Sequence, residues 1–215
     1  METHLRNKVV LITGASGGIG SAIARGFAAE GAKLVLHCHK NLTGARQLQK
    51  ELATTASLVV AADLTKEAAV KKLFAAALKK FGRVDTLITN AGQWEKRDVS
   101  LHEMSLAQWR GTQDGVLTSA FLCTREFFRL VASQKTGNTV LIGSTAAVFG
   151  EAGHADYAAA KAALAYGFTR TLKNELARLA PHTKTYCGGR INCVCPGWTV
   201  VPRNAAKLQD AQVVR

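Results

Sequence analysis

The chain has 215 residues, 28 Lys plus Arg against 15 Asp plus Glu for a formal net charge of +13, and 47% hydrophobic residues with 19 Gly and only 3 Pro. That length suits one domain, and that composition excludes a disordered or collagen-like chain. No apolar run approaches the roughly 20 residues that span a bilayer, and the opening Met1-Glu2-Thr3-His4-Leu5-Arg6 lacks the apolar stretch of a secretory signal, so a cytoplasmic protein without a membrane partner is expected.

In chain order, apolar β-type stretches alternate with helical ones. Strands are predicted at 8–12, 33–37, 57–61, 86–89, 139–142 and 190–194, with helices at 18–30, 43–54, 66–81, 106–134 and 157–179 between them. This is the pattern of right-handed βαβ crossovers, and it predicts an α/β fold: a Rossmann-type, doubly wound parallel sheet in a single domain over 1–215. The helices around 117–131 and 157–168 lack a clean polar face, because Ala120, Phe121, Cys123, Phe127, Phe128 and Leu130 nearly encircle the first. Such helices need cover beyond one sheet, and a homo-oligomer, dimer or tetramer, is the expected source.

The basic residues are dispersed, neither gathered in a tail nor interleaved with aromatics, which argues against nucleic acid as a partner. Attraction of smaller anions and a merely solvated basic surface both remain open. The five cysteines, Cys38, Cys123, Cys187, Cys193 and Cys195, are odd in number and read as reduced thiols. Cys193 and Cys195 would share one face of the last strand. No second ligand pair at zinc spacing accompanies them, so they read as packing and no metal site is expected.

Thr13-Gly14-Ala15-Ser16-Gly17-Gly18-Ile19-Gly20 directly follows the first strand and opens the first helix. Gly14 permits the tight turn, Gly18 lets backbone approach a pyrophosphate at the positive helix end, and Gly20 allows close packing, which together predict dinucleotide binding. At the end of the second strand, where an acid would bond the ribose 2′-hydroxyl of NAD, the chain reads Leu36-His37-Cys38-His39-Lys40-Asn41. Cys38 takes the acid's place, and Lys40 with His39 predicts a preference for NADP(H) over NAD(H).

Ser144 follows the fifth strand, Tyr157 comes thirteen residues later, and Lys161 stands at i+4 from Tyr157, one helical turn on and on the same face. A phenol with pKa of about 10 is a poor acid-base group near neutrality, and an adjacent ammonium brings it toward working range. The Ser144 hydroxyl can hold a substrate oxygen where charge develops. Tyr-x-x-x-Lys/Arg alone is a loose test: Tyr166 has Arg170 and Tyr186 has Arg190, yet thirteen residues before them stand Gly153 and Lys173 rather than Ser.

The loop spacing T-G-x-x-x-G-x-G and the Ser144, Tyr157, Lys161 set resemble the short-chain dehydrogenase/reductase family, and in particular its 3-oxoacyl-[acyl-carrier-protein] reductase-like members. Three further segments extend the resemblance over nearly the whole chain. Asp63-Leu64-Thr65 resembles the adenine-contacting segment. Thr89-Asn90-Ala91-Gly92 is similar to the Asn-Asn-Ala-Gly motif with Thr first. Asn192-Cys193-Val194-Cys195-Pro196-Gly197-Trp198-Thr199 resembles the Asn-x-x-x-Pro-Gly segment at the nicotinamide carboxamide. The resemblance implies cofactor contacts from Gly14, Ser16, Gly18, Ile19, Gly20, Asp63, Leu64, Asn90, Ala91, Gly92, Pro196 and Gly197, and from Tyr157 and Lys161 themselves; Val201 falls at the usual Thr, so Thr199 is expected to offer its hydroxyl instead.

The expected activity is hydride transfer between NADP(H) and a secondary alcohol or ketone. One alternative is a 3-oxoacyl-[acyl-carrier-protein] reductase, with an acidic carrier protein docking on Lys135 and Arg178. Another, of a different class, is a non-catalytic nucleotide-binding or sensing protein. Gln93, Trp94, Phe149, His154 and Trp198 are expected around a small-molecule substrate. Two departures from the family pattern stand out. After Pro202 only a short helical piece at 205–214 is expected, so the family's last helix and strand look absent. Val116 stands seven residues after Trp109, where the family carries an Asn that helps hold a proton-relaying water. A backbone carbonyl or Ser119 could replace it, and the expectation is that chemistry survives with an impaired relay.

Overall fold

The computed structural model describes residues 2–95, 97–184 and 188–201. Among these residues six strands, β1 (Val9–Ile12), β2 (Lys33–Cys38), β3 (Ser57–Ala61), β4 (Thr86–Thr89), β5 (Gly137–Ile142) and β6 (Gly189–Val194), pair in the order β3-β2-β1-β4-β5-β6. Every pairing is parallel, as the crossover pattern predicts.

Alternation along the central strand explains why both faces are covered. Val9 and Leu11 of β1 enter one core with Phe74 and Phe127, whereas Val10 and Ile12 enter the other with Leu34, Leu36 and Leu48. Strand period two sends successive side chains to opposite faces, and a parallel sheet needs helices on both. Helices α1 (Gly18–Ala29) and α2 (Leu42–Glu51) cover the second core; α3 (Glu67–Phe81) and α5 (Ser119–Gln134) cover the first. Local signals set several ends: the Asn41 side chain accepts from Gly44 N at 3.0 Å at the start of α2, and Gly82, at φ +76°, ends α3.

Two long predicted helices are each divided. The stretch 106–134 consists of α4 (Leu106–Gln113), a π-helical turn (Asp114–Thr118) and α5. The stretch 157–179 begins earlier, as α7 (Ala155–Ala162), then passes through a second π turn (Ala163–Phe168) into α8 (Thr169–Leu179). The apolar pattern continues across both breaks, so periodicity alone reads one helix; a π turn accommodates an extra residue without stopping the rod. A short α6 (Ala146–Phe149) also interrupts the expected loop after β5. The expected helix at 205–214 lies outside the described residues, as do Tyr186 and Cys187.

Among the described residues, no helix is long and apolar enough to cross a membrane. Strand order reverses between β1 and β4, and the loops leaving their carboxyl ends open the crevice in which ligands of such sheets bind.

Candidate active site

Thr13 ends the run out of β1, and Gly14 turns the chain with φ +64°, the left-handed region that favours glycine. Its N–H donates to His37 Nδ1 at 3.1 Å, while Ala15 N donates to the His37 carbonyl at 2.8 Å. The other ring nitrogen, Nε2, lies 2.9 Å from the Ala62 carbonyl. Nδ1 accepts and Nε2 donates, which defines a neutral ring, and burial pushes His37 down to about 4. His37 thus ties the glycine turn to the segment before Asp63. The sequence offers no sign of this role, because β2 reads as a simple buried strand.

From the other side, Asn90 Nδ2 donates to the Thr13 and Gly14 carbonyls at 2.9 and 3.1 Å, and Ala91 N donates to Thr13 Oγ1 at 2.9 Å. A Cβ on Gly20 would strike the Gly14 carbonyl oxygen and come within 2.8 Å of Asn90 Nδ2, so the helix can approach the turn only as glycine. Gly17, at the N-cap of α1, provides no side-chain cap, and the first turn holds no acid. The N–H groups of Gly18, Ile19 and Gly20 with half-buried Ser16 therefore form a mouth suited to a diphosphate.

The end of β2 carries no carboxylate: Cys38 is buried, and His39 and Lys40 are exposed before Asn41 caps α2. Asp63 Oδ1 accepts from Thr65 N at 3.0 Å and Thr65 Oγ1 at 2.7 Å, and these bonds hold its carboxyl below the usual range. Leu64 packs into the first core.

Beyond β5, Gly143 N donates to the Val194 carbonyl at 2.7 Å. A Cβ at Gly143 would lie 2.6 Å from Cys195 Sγ and 2.9 Å from Cys193 Sγ, so the two thiols, 3.9 Å apart, fill the space that the glycine leaves. They share a face, as strand spacing predicts, and burial pushes Cys193 up to about 11. Ser144 Oγ accepts from Ala146 N at 3.2 Å, leaving its O–H available as a donor.

Lys161, 3% exposed, donates from Nζ to the Ile142 carbonyl at 2.6 Å and lies 5.6 Å from the centre of the Tyr157 ring. Burial is the largest influence on Lys161 and pushes it down to about 8, with Cys193 and Cys195 acting the other way. A Cβ at Gly92 would be 3.6 Å from Lys161 Nζ and 3.9 Å from Val116 Cγ2, which places the end of β4 against both. Thr145 N donates to the Pro196 carbonyl at 3.0 Å and Gly197 packs on Thr145, so the segment after β6 closes on the one after β5. Thr199 Oγ1 donates to the Gly197 carbonyl at 3.0 Å, inside its own turn.

Val116 is buried in the π turn, and Ser119 Oγ donates to the Gly115 and Val116 carbonyls at 2.8 and 3.2 Å. The Ser119 hydroxyl hydrogen is thereby committed to the helix backbone. Of the expected substrate-side residues, Trp94 stacks on His154 with ring centres 4.7 Å apart and meets Trp198 edge-on at 6.2 Å. His154, 2% exposed, backs this wall, whereas Phe149 is 84% and Trp198 53% exposed. Among the described residues, no group of three or more His, Cys, Asp or Glu could hold a metal ion.

Comparison with known proteins identifies the family. Residues 8–212 match the family model described as short chain dehydrogenase. The chain is 37% identical to a 3-oxoacyl-[acyl-carrier-protein] reductase of Synechocystis over 198 residues, covering 91% of this chain and 76% of the relative. It is 34% identical to an acetoacetyl-CoA reductase of Acinetobacter over 206 residues, covering 94% of this chain and 79% of the relative. With a match over that span, a 3-2-1-4-5-6 parallel sheet and a glycine turn at the first strand's end, the chain belongs to the short-chain dehydrogenase/reductase family of NAD(P)-dependent oxidoreductases.

Proposed function

We propose that this protein transfers a hydride between NADP(H) and a secondary alcohol or ketone, with Ser144, Tyr157 and Lys161 as its catalytic residues, in one domain spanning 1–215 and in the cytoplasm. The observation that carries the reading is the placement of Lys161: a buried ammonium beside the Tyr157 ring, held on the strand-five carbonyl of Ile142. Bound cofactor supplies or takes up the hydride. In the reducing direction Tyr157 gives its phenolic proton to the substrate oxygen, Ser144 donates a hydrogen bond to that oxygen, and the Lys161 charge stabilises the phenolate left behind. In the oxidising direction the proton returns to Tyr157.

The glycine turn, Asp63, Leu64, Asn90, Ala91, Gly92, Pro196, Gly197 and Thr199 are the proposed cofactor contacts. His39 and Lys40, exposed where a carboxylate would select NAD, are proposed to meet the 2′-phosphate. The test is Tyr157→Phe in a screen of ketones, alcohols and acyl thioesters with both cofactors. Loss of turnover with NADPH binding retained supports the reading; undiminished turnover in a folded variant, or equal efficiency with NADH, overturns its catalytic or its cofactor part. Cofactor binding with no turnover of any substrate by the unaltered protein would instead favour a nucleotide-sensing role.

A second reading, reduction of a 3-oxoacyl group on a carrier protein, draws on the names of both relatives, which are reductases of acyl thioesters. Lys135 and Arg178 are exposed, as docking of an acidic carrier requires. Activity on acyl-carrier substrates that falls steeply with salt supports it, and salt-insensitive activity on free ketones counts against it. We also propose a homo-oligomer: Phe121, Phe128, Phe168, Leu172 and Leu179 line an open apolar groove on α5 and the α8 side, where a second copy would supply the missing cover.

A further inference from the structure

The residue before Tyr157 is a buried acid with an unusual set of partners. Asp156 is 1% exposed. Its Oδ1 accepts the backbone N–H of Tyr157 itself at 2.8 Å, and its Oδ2 accepts the Thr112 hydroxyl at 2.6 Å and the Gln108 amide at 3.3 Å. The Asp156 backbone carbonyl takes a further bond from Gln113 Nε2 at 2.9 Å. These donors are neutral groups, and three of them come from α4, at sequence separations of 43 to 48 residues.

Burying a carboxylate is unfavourable unless its oxygens are hydrogen-bonded, so this arrangement holds only while α4 and α7 keep one mutual position. The Thr112 bond, at 2.6 Å, is the shortest of the set. What the clamp joins matters for the site. On one side it fixes the first turn of α7, from which Tyr157 and, one turn later, Lys161 project. On the other, α4 runs without a break into the π turn that carries Val116, which faces Gly92 together with Lys161.

We infer that Asp156 is a positioning residue that sets the Tyr157 phenol against the π-turn wall of the site by clamping the start of α7 to Gln108, Thr112 and Gln113. It touches neither substrate nor cofactor. Its effect is to restrict Tyr157 to the orientation from which a proton reaches the substrate oxygen, and so it acts on turnover rather than on cofactor binding. The inference rests on the proposed acid-base role of Tyr157.

The experiment compares Asp156→Asn, Thr112→Val, the double variant and Thr112→Ser in the full chain, with Tyr157→Phe alongside, reading kcat, KM for NADPH and thermal midpoint. Displacement of a reacting group by about 1 Å lowers rates by as much as roughly 100-fold, so Asp156→Asn is expected to lose about 10-fold to 100-fold in kcat with KM for NADPH within about twofold. Thr112→Val, which keeps side-chain shape but removes the donor, should lose about 10-fold, Thr112→Ser should restore most of it, and the double variant should be no worse than Asp156→Asn alone, as expected for one shared interaction. Lowered thermal midpoints with unchanged kcat would make the clamp merely structural and overturn the inference, as would additive losses in the double variant. If Asp156→Asn does not fold, Thr112→Val against Thr112→Ser decides the matter. Undiminished turnover in Tyr157→Phe would instead refute the acid-base reading, whereas inactive Tyr157→Phe beside fully active Asp156→Asn and Thr112→Val refutes only the positioning role.

Discussion

The two sides of the crevice are built differently. At the ends of β1, β2 and β4, His37 and Asn90 bond to the backbone of the glycine turn while Thr13 Oγ1 accepts from Ala91 N, and the helix behind the turn is so close that a Cβ on Gly20 would overlap it. At the ends of β5 and β6, Phe149 and Trp198 stand in solvent, and the close contacts lie deeper, around Lys161. On the proposed function, the difference follows from what each side would meet. A diphosphate is one invariant shape that rewards a preorganised backbone, whereas a substrate must enter and leave, which needs apolar surface left uncovered.

Removing the charge at the deep end of the open side should give the largest effect. Lys161→Met is expected to lower turnover by roughly 100-fold or more, the usual scale for an acid-base partner. It should also raise thermal stability. Lys161 is pushed from 10.5 down to about 8 by burial, so the folded state binds its proton less readily than the unfolded state. That penalty is fully present below pH 8 and disappears as pH rises from 8 to 10.5, amounting to on the order of 3 kcal/mol. Thermal melts across this range should therefore show the unaltered protein gaining stability with pH relative to Lys161→Met; parallel curves would contradict the assignment.

Gly20→Ala and Gly92→Ala test the contrast in packing directly. At Gly20 the new methyl meets fixed backbone, and overpacking of this kind costs about 3 kcal/mol, with a matching loss of NADPH affinity. At Gly92 it meets Lys161 Nζ and Val116 Cγ2 at ordinary contact distances, 3.6 and 3.9 Å, and stability should change by less than about 1 kcal/mol. Melting and NADPH titration of both variants check this; equal effects would erase the distinction.

On the nucleotide side, His37 should give an acid limb. Its pKa is depressed from 6.5 to about 4, so its contribution is intact above pH 6.5 and is lost as pH falls through 4. The full loss is on the order of 3 kcal/mol, and NADPH affinity should fall with it because protonation removes the acceptor for Gly14 N–H. His37→Gln should flatten this limb in a pH series of melts.

The smallest effect is expected at Val116→Asn, which replaces a side chain that cannot bind water beside Lys161. Turnover should rise where proton transfer limits the rate, and the solvent isotope effect should fall. If the variant folds, binds NADPH equally and changes neither quantity, the impaired-relay idea is wrong.

By itself, the sequence determined the strands, their parallel pairing and the glycine turn, because these depend on short-range patterns: apolar runs over four to six residues, helical spacing between them, and glycines at the end of the first strand. The i+4 spacing of Tyr157 and Lys161 was legible for the same reason. Only the tertiary structure decided the two π turns, the short α6, the neutral His37 beneath Gly14, the stacking of Trp94 on His154, and the Asp156 clamp. Each of these depends on partners brought together by the fold; Thr112 and Asp156 are 44 residues apart, and Trp94 meets a ring 60 positions on. An apolar pattern reports which face of an element is buried. It does not report which buried polar group will find which acceptor, since that choice is made by hydrogen-bond satisfaction after the chain has packed.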